Sequence, residues 1–321
     1  MSDEIAHYTT EQGLAAILST KKLWATHWRF LNDLSETQHG IDIINDIHRA
    51  TLDSMPDQNI LRKRLEQEGP QFLKNLWFKC ISPNGKDPEF FMTSFSKIFE
   101  KDKSKDDGIL SQWRSYGDNG GFAIVFSREG LRKSYYLYSK KCETHAGEEQ
   151  KYGCPECQKF IIAHTLDDTI YPVNILEVKE ENYKNALEII RYWAPALIKS
   201  DVKKFSSETI DAWVKAIILL ITTIKHPGFN EEKEVRFACL NRVERPGGGY
   251  HLESPYKVVM KNNAPRLEID FQPETIKRII IGPQPNQDQK ELAVRYYLES
   301  NGYEGVDVVK SSIPYRKNIS A

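Results

Sequence analysis

Cys142, His145, Cys154 and Cys157 form a Cys-x2-His pair and a Cys-x2-Cys pair separated by eight residues. Two-residue spacing lets both ligands of a pair bend toward one tetrahedral ion, and Gly147 and Gly153 permit the tight turns this needs. Four protein ligands leave no open coordination position. The expectation is a structural zinc in a small knuckle-like insertion over residues 140–160; the alternative is a reduced surface loop with incidental cysteines. Cys80 and Cys239 stand in apolar, strand-like surroundings and read as buried thiols. An odd count of five cysteines argues against a disulfide framework.

Four polar clusters carry the other candidate chemistry: HYTT at 7–10, LND at 31–33, SQWRSYGD at 111–118 and EEKEVRF at 231–237. Each adjoins an apolar segment, as pieces of one pocket gathered from distant strands would. In a strand, Glu232, Glu234 and Arg236 face one way and Val235 and Phe237 the other. Glu234 is then either a rigid carboxylate serving as general base or oxocarbenium-stabilising anion, or one rung of a solvent-facing Glu/Arg ladder. Arg114 offers a planar fork for phosphate or carboxylate, and Trp113 and Tyr116 offer faces for a base or nicotinamide ring. The alternative is an aromatic corner packed on a sheet. His7 ends a strand just before a helix, where imidazole and helix amides could meet an anionic ligand, or where backbone simply satisfies the ring. Asp33 and Glu36 have helix-cap spacing, which explains Asp33 and leaves Asn32 and Glu36 as the candidates of that cluster. Ser94 and Ser96 share one strand face and could line a cleft.

These residues need strands to hold them, and hydrophobic periodicity supplies them. Strands are expected over 5–8, 90–95, 121–126, 135–138, 171–178, 234–239, 256–260, 267–271, 276–281 and 305–309, and a turn over 245–250. Helices are expected from residue 11, with Leu14, Ile17 and Leu18 on one face, and after Asp33. Further helices fall over about 58–77, 182–198, 207–224 and 287–300. Thr9 and Gln12 stand at capping-box spacing for the first helix. The polar stretch KIFEKDKSKDDG at 97–108 reads as a mobile surface loop that could cover a site. Runs of strands with segregated helices and no βαβ rhythm predict an α+β fold around an antiparallel or mixed sheet, as a single domain over 1–321.

Lys and Arg number 44 against 45 acidic residues, so the chain lacks the basic excess of a protein that coats nucleic acid. The start, MSDEIAHY, has no signal-peptide pattern, and the longest apolar run, 216–221, is far short of a membrane span. A cytoplasmic protein without membrane contact is expected.

HYTT, LW then LND and E, SFS, LSQWRSYGD then GGFAIVF, EEKEVRF, IIIGP and IPYRK run in the order of a widespread bacterial family, domain of unknown function 2971, which the chain resembles nearly throughout. The cysteine-rich insertion and the 53–77 helix stand outside that resemblance. More distantly, a first strand ending in His-aromatic-Thr, the GLAAILS helix and the turn into LWAT resemble the opening of ADP-ribosyltransferases of the DNA-modifying toxin and RNA phosphotransferase kind. Such enzymes use a first-strand histidine or arginine, a middle tyrosine or serine, and a late-strand glutamate. The resemblance places these roles on His7, Tyr116 (with Ser96 and its neighbours as alternatives) and Glu234, although Tyr8 stands where the pattern has glycine. It implies NAD as substrate, with Tyr8, Thr9, Asn32, Ser94, Ser96, Arg114 and Arg236 around it. A protein or nucleic acid would accept the ADP-ribose, and a toxin or anti-phage effector would be the setting. A non-catalytic protein that binds a nucleotide or nucleic-acid end, and an NAD glycohydrolase, are the other functions expected of such a pocket.

Overall fold

The computed structural model describes residues 4–31, 39–40, 42–43, 46, 89–98, 104–117, 120–139, 164–168, 222–244, 251–253 and 257–314. Within them the chain opens with β1 (Glu4–Thr9), α1 (Glu11–Thr20) and β2 (Lys22–His27). Leu14, Ile17 and Leu18 are the buried face of α1, as the periodicity requires, and each contributes roughly 1.5–3 kcal/mol by leaving water. The helix is capped by Thr10, whose hydroxyl accepts from the Gly13 amide at 3.2 Å. The expected cap at Thr9 is therefore displaced by one residue, because β1 pairing continues through Thr9 opposite Phe122.

Then follow β3 (Glu89–Ile98), a short helix α2 (Ser104–Asp107), α3 (Leu110–Tyr116), β4 (Phe122–Ser127), α4 (Arg128–Ser139) and β5 (His164–Asp168). A six-residue 3-10 segment, Pro227–Glu232, leads into β6 (Glu234–Glu244). The rest is β7 (His251–Glu253), β8 (Lys257–Lys261), β9 (Ala264–Asp270), β10 (Ile276–Ile281), α5 (Gln287–Ser300) and β11 (Asp307–Lys310). The fold is α+β around one large open mixed sheet. Among the described residues eleven strands join in it, antiparallel except for the β10–β11 pair.

Two expectations are corrected. Residues 135–138 are helical, since Ser127 caps α4 by accepting from the Gly130 amide at 3.1 Å and the helix runs on through Ser139. The stretch 97–108 is not one loop: Lys97 and Ile98 complete β3, and 104–107 form a helical turn. SQWRSY is helical as part of α3. Strand β5 has no counterpart among the expected strands and exists by pairing along β6. Residues 39, 40, 42, 43 and 46 are helical, in line with a helix after Asp33. The elements expected over 58–77, 171–178, 182–198, most of 207–224 and the turn over 245–250 lie outside the described residues, as does the cysteine-rich insertion.

The sheet forks at β3. Along one edge β3 pairs with β6 from Glu89 to Ser96. On the other edge it pairs with β1 only at 96–98 and with β2 only at 91–92. Residues 93–95 thus line the crotch between two parallel branches. One sheet face, with Ile5, Phe95, Phe126, Val235, Phe237 and Ile279, packs under Leu14, Ile17 and Leu18 of α1 and Val294 and Leu298 of α5. The opposite face, with Ala6, Tyr8, Ile98, Ala123, Val125 and Ile280, takes Trp113 of α3.

Candidate functional site

Glu234 and Arg236 begin β6 on the face opposite the main core, opposite Ser96 and Ser94 of β3. Strand alternation was read correctly for this pair, but Glu232 belongs to the preceding 3-10 segment instead of the strand. Glu234 is only 5 % exposed and Arg236 only 3 %, so they are not a solvent-facing ladder. The guanidinium grips the carboxylate in two places, Nε to Oε1 at 2.8 Å and Nη2 to Oε2 at 3.0 Å, and its Nη1 donates to the Thr222 carbonyl at 3.1 Å. Lys225 donates to Glu234 Oε2 at 2.9 Å and to Glu232 Oε2 at 2.7 Å, lying over the Phe229 ring. These four charges sum to zero, as burial demands. Burial by itself would push the Glu234 carboxyl up. The Arg236 and Lys225 cations, with hydrogen bonds from Arg236 and the Ser94 hydroxyl, more than offset it and bring the group down to about 2.

Ser94 sits at mid-strand in the crotch of the fork, exposed, while Thr93, Phe95 and Ser96 around it are buried. Its hydroxyl serves Glu234. Its carbonyl accepts from His7 Nδ1 at 3.1 Å, which puts the proton on Nδ1 and leaves Nε2 as an acceptor. His7 is half-buried with its ring 5.7 Å from that of Phe95. Burial pulls its imidazole below the ordinary value, with the Ser94 hydrogen bond acting in the opposite direction. By register His7 belongs to the Phe95 face and Glu234 to the other. Ser94 joins them across the sheet.

Tyr116 ends α3, 40 % exposed. That helix packs on β1 and approaches the 3-10 segment that leads into β6. Tyr8 is buried beneath it, edge-on to Trp113 at 4.6 Å, and its hydroxyl accepts from the Ile109 amide at 2.8 Å. Tyr8 and Trp113 are therefore packing residues. Thr9 is half-buried at the end of β1, Arg114 is exposed on α3, and Ser96 is buried directly between Ala6 and Glu234. Asn32 and the Cys142, His145, Cys154 and Cys157 set lie outside the described residues. Among the described residues no cluster of three or more His, Cys, Asp or Glu side chains is placed to hold a metal. None of the described helices is long and apolar enough to cross a membrane.

Residues 112–237, from α3 to the first residues of β6, match a family model. It is that of a protein of unknown function (DUF2971). The DUF2971 match takes in Tyr116, Arg114, Glu232, Glu234 and Arg236, together with Lys225, which spacing alone did not single out. His7, Ser94 and Ser96 lie N-terminal to it, so the site draws on both the matched region and the strands before it. No curated protein and no solved structure matches the chain.

Proposed function

We propose that the chain binds NAD against the exposed centre of β3 and breaks the nicotinamide–ribose bond, passing ADP-ribose to a protein or nucleic-acid acceptor. The observation that carries this reading is the bridge made by Ser94, whose carbonyl meets His7 of the first strand and whose hydroxyl meets Glu234 of a late strand. A first-strand histidine, a middle serine and a late-strand glutamate are the trio used by the ADP-ribosyltransferases the sequence resembles. Ser94 thereby takes the middle position in preference to Tyr116, which remains a wall of the same face. In the reaction the C–N glycosidic bond breaks with its electron pair on neutral nicotinamide. The acceptor nucleophile then bonds to the ribose carbon and releases its proton to water. A carboxyl held at about 2 is a poor base but a permanent anion, so Glu234 acts by stabilising positive charge on the ribose. Arg236 is taken up by Glu234 and Thr222, which leaves the exposed Arg114 for the pyrophosphate.

A second reading, nucleotide binding without chemistry, is favoured by the balanced charges around Glu234, since Lys225 and Arg236 weaken the field it can exert on a ligand. Adenylate-labelled NAD incubated with the protein and a cell lysate separates the two. Transfer of label to macromolecules, reduced about a hundredfold or more in Glu234→Gln and impaired in Ser94→Ala, supports the enzyme. Circular dichroism of both variants excludes unfolding as the cause. NAD that binds without being consumed supports the second reading, and NAD that neither binds nor turns over sinks both. On ligand spacing alone, Cys142, His145, Cys154 and Cys157 are proposed to hold a structural zinc apart from this chemistry.

A further inference from the structure

Asn262 and Asn263 both take the left-handed backbone, φ 51° and 59°, and close a two-residue hairpin that sets β8 against β9. Residues paired directly across antiparallel strands share a face, so the registers of β2, β9 and β8 lay out that face row by row. Lys22 stands opposite Asp270. Trp24, Glu268 and Lys257 form the next row, Thr26, Arg266 and Val259 the third, and Lys261 lies beyond them. This is the face away from Leu23, Ala25, Leu267 and Ile269 of the main core, and all of these side chains are half-buried or exposed. Its two carboxylates, Glu268 and Asp270, are both held by Lys22 at 3.3 Å. Lys257, Lys261 and Arg266 have no ion pair among the described residues, and the last two stand over the Trp24 ring, 5.8 and 5.6 Å from its centroid. Lysines guard an open sheet edge, which accounts for Lys257 and Lys261 on β8. It does not account for Arg266 on the inner strand, or for a tryptophan beneath two of the cations.

We propose that this face binds single-stranded nucleic acid, with its cations on the phosphates and Trp24 against a base. Balanced charge over the whole chain is compatible with a local surplus, and here three cations are left over once Lys22 has answered the two acids. Lys257 and Lys261 are four residues apart along one strand, about 13 Å, a reach that suits a phosphate backbone better than a single pyrophosphate group. The face also borders the Ser94 site. Thr26 pairs with Met92, and in continued register Trp24 would pair with Ser94, but pairing stops there. The two stand across the crotch of the fork on the same side of the sheet. The surface is independent of the NAD reading; where that reading holds, the bound strand is the nucleic-acid acceptor it names.

The test is fluorescence anisotropy of a labelled, mixed-sequence single-stranded DNA, and of the same sequence as RNA, with the full chain over a range of salt. Three phosphate contacts predict a slope of about −2 in log affinity against log salt. Lys257→Ser combined with Lys261→Ser changes two exposed side chains and leaves the core intact. It is expected to bring the slope to about −0.7 and to weaken binding about tenfold or more. Trp24→Ala is expected to lose about tenfold, and Trp24→Phe to restore most of it, since a smaller ring still stacks. No binding of either oligonucleotide, or binding that the lysine and tryptophan variants leave unchanged, overturns the inference. So does equal capture of a labelled polyglutamate, which would make the face one for acidic protein segments. Calorimetric affinity for NAD should be the same in the lysine variant as in the wild type; an equal loss there would make the face part of the nucleotide site and overturns the inference too. A wild type that binds the oligonucleotides but neither binds nor consumes NAD overturns the NAD reading alone.

Discussion

The Glu234 carboxylate keeps its charge in a buried place because two cations and a hydroxyl surround it, and this makes its protonation a stability matter. Its folded value, about 2, is depressed from an ordinary 4.5. A depressed acid contributes stability that is present above its unfolded value and lost as pH falls through the folded one, so the window is about pH 4.5 to 2. The contribution is on the order of 3 kcal/mol at neutral pH. Glu234→Gln leaves Lys225 and Arg236 without one of their counter-charges, and we expect it to cost about 3–5 kcal/mol at pH 7. The gap between the two proteins in urea unfolding should then narrow as pH falls from about 4.5 to 2, because the unfolded wild-type chain takes up the proton first and the folded one only near 2. A gap independent of pH would show that the carboxylate's ionisation is not what holds the cluster together.

At the scale of elements, the placing of α3 depends on glycines. A Cβ on Gly282, at the end of β10, would lie 2.0 Å from the Gly120 carbonyl oxygen and 2.9 Å from the Trp113 ring. Neither the backbone nor a packed indole can give way cheaply, so Gly282→Ala is expected to cost about 1–3 kcal/mol by overpacking. It should also weaken NAD binding beyond what the stability loss explains, since α3 carries Arg114 and Tyr116. Unchanged urea midpoint and affinity in this variant would mean that the close approach does not position the helix. The IIIGP stretch was visible in the sequence as a family motif, but the reason for its glycine is a contact between residues more than 160 positions apart. The same limit explains what else was hidden. Tyr135 to Tyr138 have strand-like composition, yet the Ser127 cap and the burial of Leu131 and Ser134 continue a helix through them. In β5, residues 164–168 read HTLDD, a segment too polar to signal a strand, and it becomes one because the β6 backbone is there to pair with it. Residues with a local rule were legible: α1 by its 3.6 period, and Glu234 and Arg236 by alternation. Lys225 was not, because no spacing rule relates a lysine beyond a 3-10 turn to a strand glutamate.

At the scale of the whole molecule, β3 holds the sheet together, because β1, β2 and β6 all pair with it and the remaining strands reach the sheet through those three. The amides of such a strand open only when the whole sheet does. The proposed zinc ligands fall between the end of α4 at Ser139 and the start of β5 at His164, and among the described residues β5 joins this sheet through β6. A metal there closes a local loop and contributes its binding energy to that loop, so its removal should act locally. The purified protein is expected to contain about one zinc per chain by mass spectrometry of the metal, and Cys154→Ser to contain much less. Chelation should expose residues 140–163 to proteolysis and lower thermal stability, while hydrogen exchange in β3 stays as slow as before. Unchanged stability of a metal-free sample would remove the zinc. Loss of β3 protection on chelation would instead make the ion a support of the entire sheet, and the Glu234 cluster on β6 would then depend on it.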